Sequence, residues 1–148
     1  MGSSPQRTVS AEDYVRVRDF YARQMHLIDA FKLEEYADTF TADGGVDHAH
    51  RGQRIIGREA QLAYMRAALP RYQGRVVRHW FDHLIIEPTD DGWKVSYYSL
   101  VTHTDAAGHV SFEPTFTIED DLVRGDDGVI RTRLRVIHQD APTAEPAG

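Results

Sequence analysis

Histidines lie among large apolar residues on a stretch that alternates like a β-strand, residues 75–87. Side chains along a strand point alternately to its two faces, so one face is expected to carry Val77, His79, Phe81, His83 and Ile85. An imidazole can take up and release a proton near neutral pH. A face that mixes imidazoles with large apolar side chains is typical of the wall of a small-molecule site.

A second predicted strand, residues 93–105, follows an Asp-Gly turn that is a strong hairpin signal. One of its faces is expected to carry Trp93, Val95, Tyr97, Ser99, Val101, His103 and Asp105. Polar and titratable groups therefore interrupt a second apolar face. We expect the two strands to form one wall of a pocket, with Phe81, Tyr97 and Ser99 among the groups that contact a ligand.

The composition is that of an acidic globular protein, and it excludes several classes. The 148 residues carry a formal charge of −6, which disfavours nucleic acid and anionic membranes as partners. No cysteine is present, which excludes disulfides, thiolate metal sites and a cysteine nucleophile. No apolar run approaches the roughly 20 residues of a membrane span. We expect a cytoplasmic protein with one domain over residues 10–140, a disordered arm at 1–9 and a disordered tail at 141–148.

Three helices are predicted ahead of the long strands. The first, residues 11–30, follows a serine whose hydroxyl can cap the free backbone amides. Asp29 lies at its C-terminal end, where the helix dipole disfavours an anion, so this carboxylate needs a partner unless it is simply a solvated helix end. A short second helix, residues 33–40, turns Tyr36 inward, and a third covers 57–69.

Strands make up the rest of the chain. Besides the two long strands above, we expect a short strand at 46–50 after a Gly44-Gly45 turn with positive φ, and long strands at 109–121 and 129–139. Helices followed by antiparallel strands indicate an α+β fold. Three N-terminal helices are expected to cover the concave side of a curved, mostly antiparallel sheet, which makes a cone with a pocket inside.

Two groups of charged residues on these strands are assigned to the surface. Glu113 is either an inward acid or an exposed edge charge, and we favour the edge charge. Its neighbour Pro114 indicates an edge position or a bulge in the strand. Arg131, Arg133 and Arg135 alternate along the last strand, so we expect them on the solvated outer face of the sheet.

The element order and the Arg78-His79-Trp80-Phe81 strand resemble the cone-shaped fold of nuclear transport factor 2, of SnoaL-type polyketide cyclases and of scytalone dehydratase. The resemblance covers residues 9–139. Scytalone dehydratase is similar in linked places: an acid that ends its first helix, an aromatic residue in its first short strand, and two strand histidines. The residues that match them here are Asp29, His48, His79 and His103.

This resemblance implies a dehydratase or cyclase that needs no cofactor and acts on a small hydroxyketone of polyketide type. Asp29 would orient the imidazole of His79, which would take a proton from the carbon next to a carbonyl. His103 or His48 would hydrogen-bond the enolate oxygen. Dehydration, isomerisation and ring closure all pass through an enolate, so these residues do not choose between them. Relatives are often dimers or trimers, and a homo-oligomer is therefore expected.

Two departures from scytalone dehydratase affect the substrate contacts. Ile28 and His48 stand where that enzyme has tyrosines that hold the water polarising the carbonyl, so the role passes to His48, Tyr97 or Tyr36. Its pocket asparagine has no counterpart here. Thr115 or Thr117 stands near that place and is expected to contact the substrate.

Three alternatives compete with this hypothesis. Proteins of this fold also act as ligand-binding or structural subunits, although such a protein has no need to bury both Asp29 and His79. A limonene-type epoxide hydrolase requires an Asp-Arg-Asp set inside the cone, and Asp105 is the plausible inward acid on its strand, without an arginine beside it. His48 and His50 form an HxH pair, but no acid follows closely enough to complete a metal site, so we predict no metal.

Overall fold

The computed structural model describes residues 7–141, and within them three α-helices lie against a seven-stranded sheet. The helices are α1 (Ala11–Asp29), α2 (Leu33–Ala37) and α3 (Arg58–Ala68). The strands are β1 (Phe40–His48), β2 (Gln53–Ile56), β3 (Val76–Pro88), β4 (Gly92–Thr104), β5 (Val110–Phe112), β6 (Phe116–Arg124) and β7 (Ile130–Gln139). Neighbouring strands follow the order β2-β1-β7-β6-β4-β3, and β5 pairs with β4. All pairs are antiparallel except β1 with β7, and the predicted α+β fold is confirmed.

The first strand of the sheet is longer than predicted. β1 begins at Phe40 rather than Val46, and its partner β2 was not predicted at all. Gly44 and Gly45 belong to β1 and do not have positive φ, so the turn predicted there is wrong. A Cβ atom on Gly45 would collide with the backbone oxygen of Ile55, so this glycine serves the close approach of two strands.

A left-handed residue ends α1. The amide of Lys32 donates a hydrogen bond to the carbonyl of Leu27 (3.0 Å). The amide of Phe31 donates to the carbonyl of Ile28 (3.0 Å), which completes a Schellman motif. Phe31 takes the position that glycine usually occupies, with φ of 56°. This stop holds Asp29 as the last residue of the helix, beside β3.

Three groups of buried side chains hold the helices to the sheet. The largest lies between α1 and the sheet and contains Val17, Tyr21, Ile86, Trp93, Val95, Tyr97, Ile118 and Leu122. Two smaller groups lie around α2 and α3 and contain Met25, Tyr36 and Phe40, and Leu33, Ala37 and Leu62. Burying a large apolar side chain contributes roughly 1.5–3 kcal/mol. The apolar contacts therefore fix the helices over the concave face of the sheet.

A bulge in β3 reverses the predicted alternation of its side chains. The pairing of β3 with β4 shifts between Asp82 and Ile85, where His83 has φ of 58°. A bulge inserts one residue and so moves each later side chain to the opposite face. Ile85 and His83 are exposed while Ile86 is buried, so the prediction that His83 and Ile85 share the face of His79 is wrong.

A second bulge, in β7, changes the assignment of an arginine. The pairing of β7 with β6 skips Arg133. The alternation of side chains between the two faces of β7 therefore shifts by one residue at this position. Arg133 stays on the outer side of the sheet, where it binds Asp121 (2.6 Å). Arg135 turns inward and is buried, and its assignment to the solvated face is therefore wrong.

The two ends of the chain are described only in part. Residues 1–6 and 142–148 lie outside the described residues, and most of the predicted arm and tail falls there. Val9, predicted as part of the arm, packs against the core, so that part of the prediction is wrong. Within residues 7–141, no helix combines the length and the apolar character that crossing a bilayer requires.

Candidate active site

The helices and the concave face of the sheet enclose a cavity of about 410 Å³. A cavity of this size suits a small organic ligand. Apolar side chains make up much of its wall. The polar residues in the wall are Tyr36, His48, His50, Arg51, Gln61, Tyr64, Arg71, Tyr72, His79, Ser99, Glu113, Arg135 and Gln139.

His79 and Asp29 form the contact that the sequence predicted. His79 Nδ1 lies 2.7 Å from Asp29 Oδ1. The backbone amide of His79 also donates to both carboxylate oxygens, each at 3.3 Å. These contacts supply the partner that an anion at a helix C-terminus needs. His79 lines both the cavity and an outer cleft between α1 and β3, whereas Asp29 lines the cleft alone, so the carboxylate lies behind the imidazole.

The second ring nitrogen of His79 is available to a ligand. Nε2 has no hydrogen-bond partner among residues 7–141, and the side chain is 27% exposed. If Nδ1 donates its hydrogen to the acceptor Asp29, Nε2 carries the lone pair of a neutral imidazole. The ring stands perpendicular to that of Phe81, with centroids 6.4 Å apart. The arrangement therefore presents a base at the cavity wall.

His103 and Glu113 form a second pair with the two roles exchanged. His103 Nε2 lies 2.7 Å from Glu113 Oε2, and Nδ1 is buried without a hydrogen-bond partner in the described residues. Glu113 lines the cavity and His103 does not. The expectation that His103 presents a nitrogen to the cavity is therefore wrong. Of the two alternatives for Glu113, the inward acid is the better description, although its side chain is 36% exposed. The physical reason is the break between β5 and β6 at Pro114, which leaves Glu113 outside either strand.

Aromatic contacts connect the two pairs. The ring of Tyr72 stacks on that of His103, with centroids 5.7 Å apart and an angle of 13° between the ring planes. Tyr72 also contacts Phe31, with centroids 6.3 Å apart. Phe31 follows Asp29 by two residues, so a row of rings runs from the end of α1 to His103.

Arg135 and Asp120 form a buried ion pair that the sequence interpretation missed. Arg135 Nη2 lies 2.8 Å from Asp120 Oδ2, and both side chains are almost fully buried. The same carboxylate oxygen accepts hydrogen bonds from the hydroxyls of Tyr21 (2.8 Å) and Tyr97 (2.9 Å). Burial raises the pKa of Tyr97 well above its ordinary value, so it remains a neutral donor. Tyr97 does not line the cavity, and its predicted contact with the substrate is therefore wrong.

Tyr36 connects this ion pair to the cavity. Arg135 Nη1 donates a hydrogen bond to the Tyr36 hydroxyl (3.2 Å), and Arg135 Nη2 donates to Gln24 Oε1 (2.7 Å). Burial raises the pKa of Tyr36, although the charge of Arg135 acts against that rise. Tyr36 therefore keeps its proton at neutral pH. Because its oxygen already accepts from Arg135, its own O–H is available to a ligand.

His48 lines the cavity as a neutral imidazole. Burial, followed by the positive charges of Arg51 and His50, lowers the pKa of His48 to about 4. Its ring lies against Tyr64, with centroids 5.6 Å apart. At neutral pH His48 can accept or donate a hydrogen bond, but it does not carry the proton of an imidazolium acid.

The other predicted ligand contacts divide into two groups. Phe81 and Ser99 line the cavity. Thr115 and Thr117 do not, because their hydroxyls donate to the carboxylate of Asp140 at 2.8 Å and 2.7 Å on the opposite side of the strand. Their predicted contact with the substrate is wrong.

No group of three or more His, Asp or Glu side chains within residues 7–141 is arranged to hold a metal ion. The rings of His48 and His50 lie with their centroids 6.0 Å apart. The predicted inward acid Asp105 instead accepts hydrogen bonds from backbone amides of its own turn, at 2.9 Å each.

A sequence signal for the buried ion pair exists on β6. Ile118, Asp120 and Leu122 alternate on one face, so an acid lies between two core positions and requires a cation or donors. Arg135 itself gives no such signal, because simple alternation from Arg133 assigns it to the outer face and the bulge at Arg133 is not visible in the sequence. Glu113 could have been found from the proline that follows it, which interrupts the strand.

The family model of the SnoaL-like domain matches residues 9–136. Aln2 from a Streptomyces species is 44% identical over 90% of this chain and 94% of its own, with a TM-score of 0.83. A Catenulispora acidiphila protein, solved in complex with S-DNPA, is 38% identical over 88% and 95%, with a TM-score of 0.80. ActVI-ORFA from Streptomyces coelicolor is 32% identical over 86% and 96%, with a TM-score of 0.79. Among curated proteins, none matches the chain significantly. The chain therefore belongs to the SnoaL-like domain family and has the NTF2-like cone fold.

Proposed function

We propose that the chain is an enzyme that dehydrates or cyclises a small hydroxyketone of polyketide type, with His79 as its acid–base group and without a cofactor. The observation that carries this proposal is the placement of His79 between the Asp29 carboxylate and the cavity. A carboxylate behind an imidazole fixes the tautomer and stabilises the imidazolium that forms on proton uptake.

The first step is proton transfer from carbon to nitrogen. His79 Nε2 takes the proton from the carbon next to the substrate carbonyl, and the electron pair of the broken C–H bond moves into an enolate. Tyr36 O–H, the neutral donor at the cavity wall, donates a hydrogen bond to the enolate oxygen. A positioned acid–base group of this kind contributes on the order of 10²–10⁴-fold in rate.

The second step returns the proton. In a dehydration, the His79 imidazolium gives its proton to the β-hydroxyl, the C–O bond breaks and water leaves as the enolate electrons form the C=C bond. In a cyclisation, the enolate carbon attacks a second carbonyl, and the proton goes to the new alkoxide. His48, neutral at this site, is a further hydrogen-bond partner for substrate oxygens.

The relatives support this proposal at a coarser level. Family membership connects the chain to SnoaL-like proteins such as Aln2 and ActVI-ORFA. The Catenulispora acidiphila relative was solved in complex with S-DNPA, which supports the binding of a small organic ligand by this chain.

The alternative functions explain less of the site. A ligand-binding or structural subunit does not require the contact of His79 with Asp29, nor a ring nitrogen without a partner on a residue that lines the cavity. An epoxide hydrolase of limonene type needs an arginine between two aspartates, and in residues 7–141 Arg135 forms an ion pair with Asp120 alone.

The proposal is tested by assaying His79→Ala with a panel of small β-hydroxyketones and diketones, following product formation by chromatography and mass spectrometry. The matched control is His109→Ala, because His109 lies on an exposed turn. We expect the wild type and the control to convert a substrate and His79→Ala to lose on the order of 10²-fold or more in kcat. Equal turnover by a folded His79→Ala variant would remove His79 from the mechanism.

We also propose that the chain forms a homo-oligomer through the outer face of its sheet. Trp80, Tyr98 and Phe112 are 57%, 59% and 67% exposed there, on the neighbouring strands β3, β4 and β5. Sedimentation velocity measures the state directly. A monomer at micromolar concentration contradicts this proposal and leaves the catalytic one unaffected.

A further inference from the structure

Glu113 lies in the same row of the sheet as His79. Val101 of β4 pairs with His79 on one side, and its carbonyl accepts a hydrogen bond from the Glu113 amide on the other (3.0 Å). Adjacent strands lie about 4.8 Å apart, so the backbones of His79 and Glu113 are separated by about 10 Å. All three residues line the cavity. One side of a bound molecule can therefore meet an imidazole while another side meets a carboxyl group.

The environment of His103 indicates which partner donates in its contact with Glu113. His103 is buried, and its Nδ1 atom has no hydrogen-bond partner in the described part of the chain. A proton on Nδ1 would bury an unpaired donor, which is costly. The favoured tautomer is therefore neutral, with its hydrogen on Nε2 and donated to Glu113 Oε2. In that arrangement Glu113 accepts the hydrogen bond as a carboxylate.

The other oxygen of Glu113 is left for a ligand. Oε1 has no hydrogen bond within residues 7–141, and no lysine or arginine there forms an ion pair with Glu113. Arg51 and Arg71 line the same cavity, and Arg51 donates to the Tyr64 hydroxyl instead (2.8 Å). A carboxylate oxygen can only accept hydrogen bonds, so a ligand must bring a donor to it.

We infer that Glu113, held by His103, recognises a hydroxyl group of the substrate on the side of the molecule away from the carbon that His79 deprotonates. This inference rests on the proposed function in that the cavity must receive a small hydroxyketone. Glu113 is then a specificity-determining residue, and His103 is a positioning residue that acts through it. The substrate class narrows to hydroxyketones that carry a second, donating hydroxyl.

The test measures how the cavity discriminates between 2-naphthol and 2-methoxynaphthalene. The two probes share one ring system, and only the naphthol can donate a hydrogen bond. A hydrogen bond to a charged acceptor makes the naphthol roughly ten- to a hundredfold tighter, a ratio measured by fluorescence or calorimetric titration. Because the naphthol could also bond to His79, the ratio is measured in the His79→Ala variant too, where we expect it to persist.

Substitutions at Glu113 decide the inference. Glu113→Leu keeps much of the side-chain bulk without an acceptor, and the ratio is expected to fall close to one. Glu119→Leu is the matched control, because Glu119 is exposed on the outer face of β6. A ratio unchanged by Glu113→Leu, or no binding of either probe to the wild type, overturns the inference. Loss of turnover in His79→Ala with an unchanged ratio in Glu113→Leu would refute only this inference and leave the proposed function standing.

A pair of substitutions at His103 tests its positioning role. In His103→Leu the Glu113 carboxylate loses its donor, and the naphthol ratio is expected to fall while the affinity for the ether stays the same. His103→Gln places an amide N–H near the position of Nε2 and is expected to restore part of the ratio. A purely structural role of His103 predicts the opposite pattern, in which both probes weaken together and glutamine does not restore discrimination.

Discussion

The buried Arg135–Asp120 pair and the His79–Asp29 pair lie in one cone but differ in how many of their polar atoms are occupied. Arg135 donates to Asp120, Gln24 and Tyr36, and its side chain is 3% exposed. His79 is 27% exposed, and its Nε2 atom has no hydrogen-bond partner among residues 7–141. A nearly saturated network binds elements of the fold to one another, whereas an unsaturated one keeps an atom for a ligand. We therefore assign the first to stability, and the second is the one for which chemistry is proposed.

The largest expected effect follows from removing the acid of the saturated pair. Asp120→Ala leaves the Arg135 charge buried and unpaired, which costs about 3–5 kcal/mol in the free energy of unfolding. Urea unfolding followed by circular dichroism measures it. His79→Ala serves as the comparison, since a partly exposed side chain with one free nitrogen should change stability by about 1 kcal/mol or less. Equal losses of unfolding free energy in the two variants would show that the number of occupied polar atoms does not distinguish the Arg135–Asp120 pair from the His79–Asp29 pair.

The acid of the unsaturated pair is expected to affect turnover instead. In Asp29→Asn the new amide can donate to His79 Nδ1, which moves the ring hydrogen to Nε2 and removes the base. We expect kcat to fall on the order of 10²-fold or more. Asp19→Asn is the control on the same helix, where Asp19 forms an exposed ion pair with Arg23. The assay uses a substrate that the wild type converts. Turnover by Asp29→Asn at the wild-type rate would contradict the role of Asp29 in keeping the ring hydrogen of His79 on Nδ1.

Tyr36 contacts both Arg135 and the cavity, so its replacement is expected to lower both stability and turnover, each by a smaller amount. Tyr36→Phe removes the donor to the enolate, which lowers kcat by about tenfold, the worth of one neutral hydrogen bond. It also removes one acceptor of Arg135, so stability falls by about 1–3 kcal/mol. Steady-state kinetics and urea unfolding of the one variant measure the two losses. A stability loss without a change in kcat would place Tyr36 in the saturated network alone.

The smallest expected effect concerns the protonation of His48. Its pKa in the folded chain is about 4, below the ordinary value of 6.5, so protonation favours the unfolded state. The contribution of His48 to stability is therefore complete above the ordinary value and is lost as the pH falls from there toward 4. An NMR titration of the ring protons measures the pKa directly. Arg51→Ala should raise it, because the Arg51 charge is one of the causes of the shift.

The sequence predicted those parts of the site that depend on regular alternation. His79 and Phe81 precede the bulge of β3, so the period of two placed them on the cavity face. Asp29 was found from its unfavourable position at a helix end, which required a partner.

The features that were missed follow irregularities that have no periodic signature. The bulges at His83 and Arg133 shift the register by one residue, and neither segment contains the glycine that would announce such a bulge. Arg135 was therefore assigned to solvent and His83 to the cavity face. Glu113 lines the cavity, whereas Thr115 and Thr117, which were predicted to contact the substrate, do not. The reason is similar, because Pro114 divides one expected strand into β5 and β6.

The row of rings from Phe31 through Tyr72 to His103 is a packed connection between the two histidine pairs. Phe31 keeps a left-handed backbone immediately after the helix that carries Asp29, and its ring abuts Tyr72. A double-mutant cycle that combines Asp29→Asn with His103→Leu should thus depart from additivity. The cycle is followed by the free energy of unfolding, so it reports how firmly the two ends of the cone are packed together and not how the cavity discriminates between ligands.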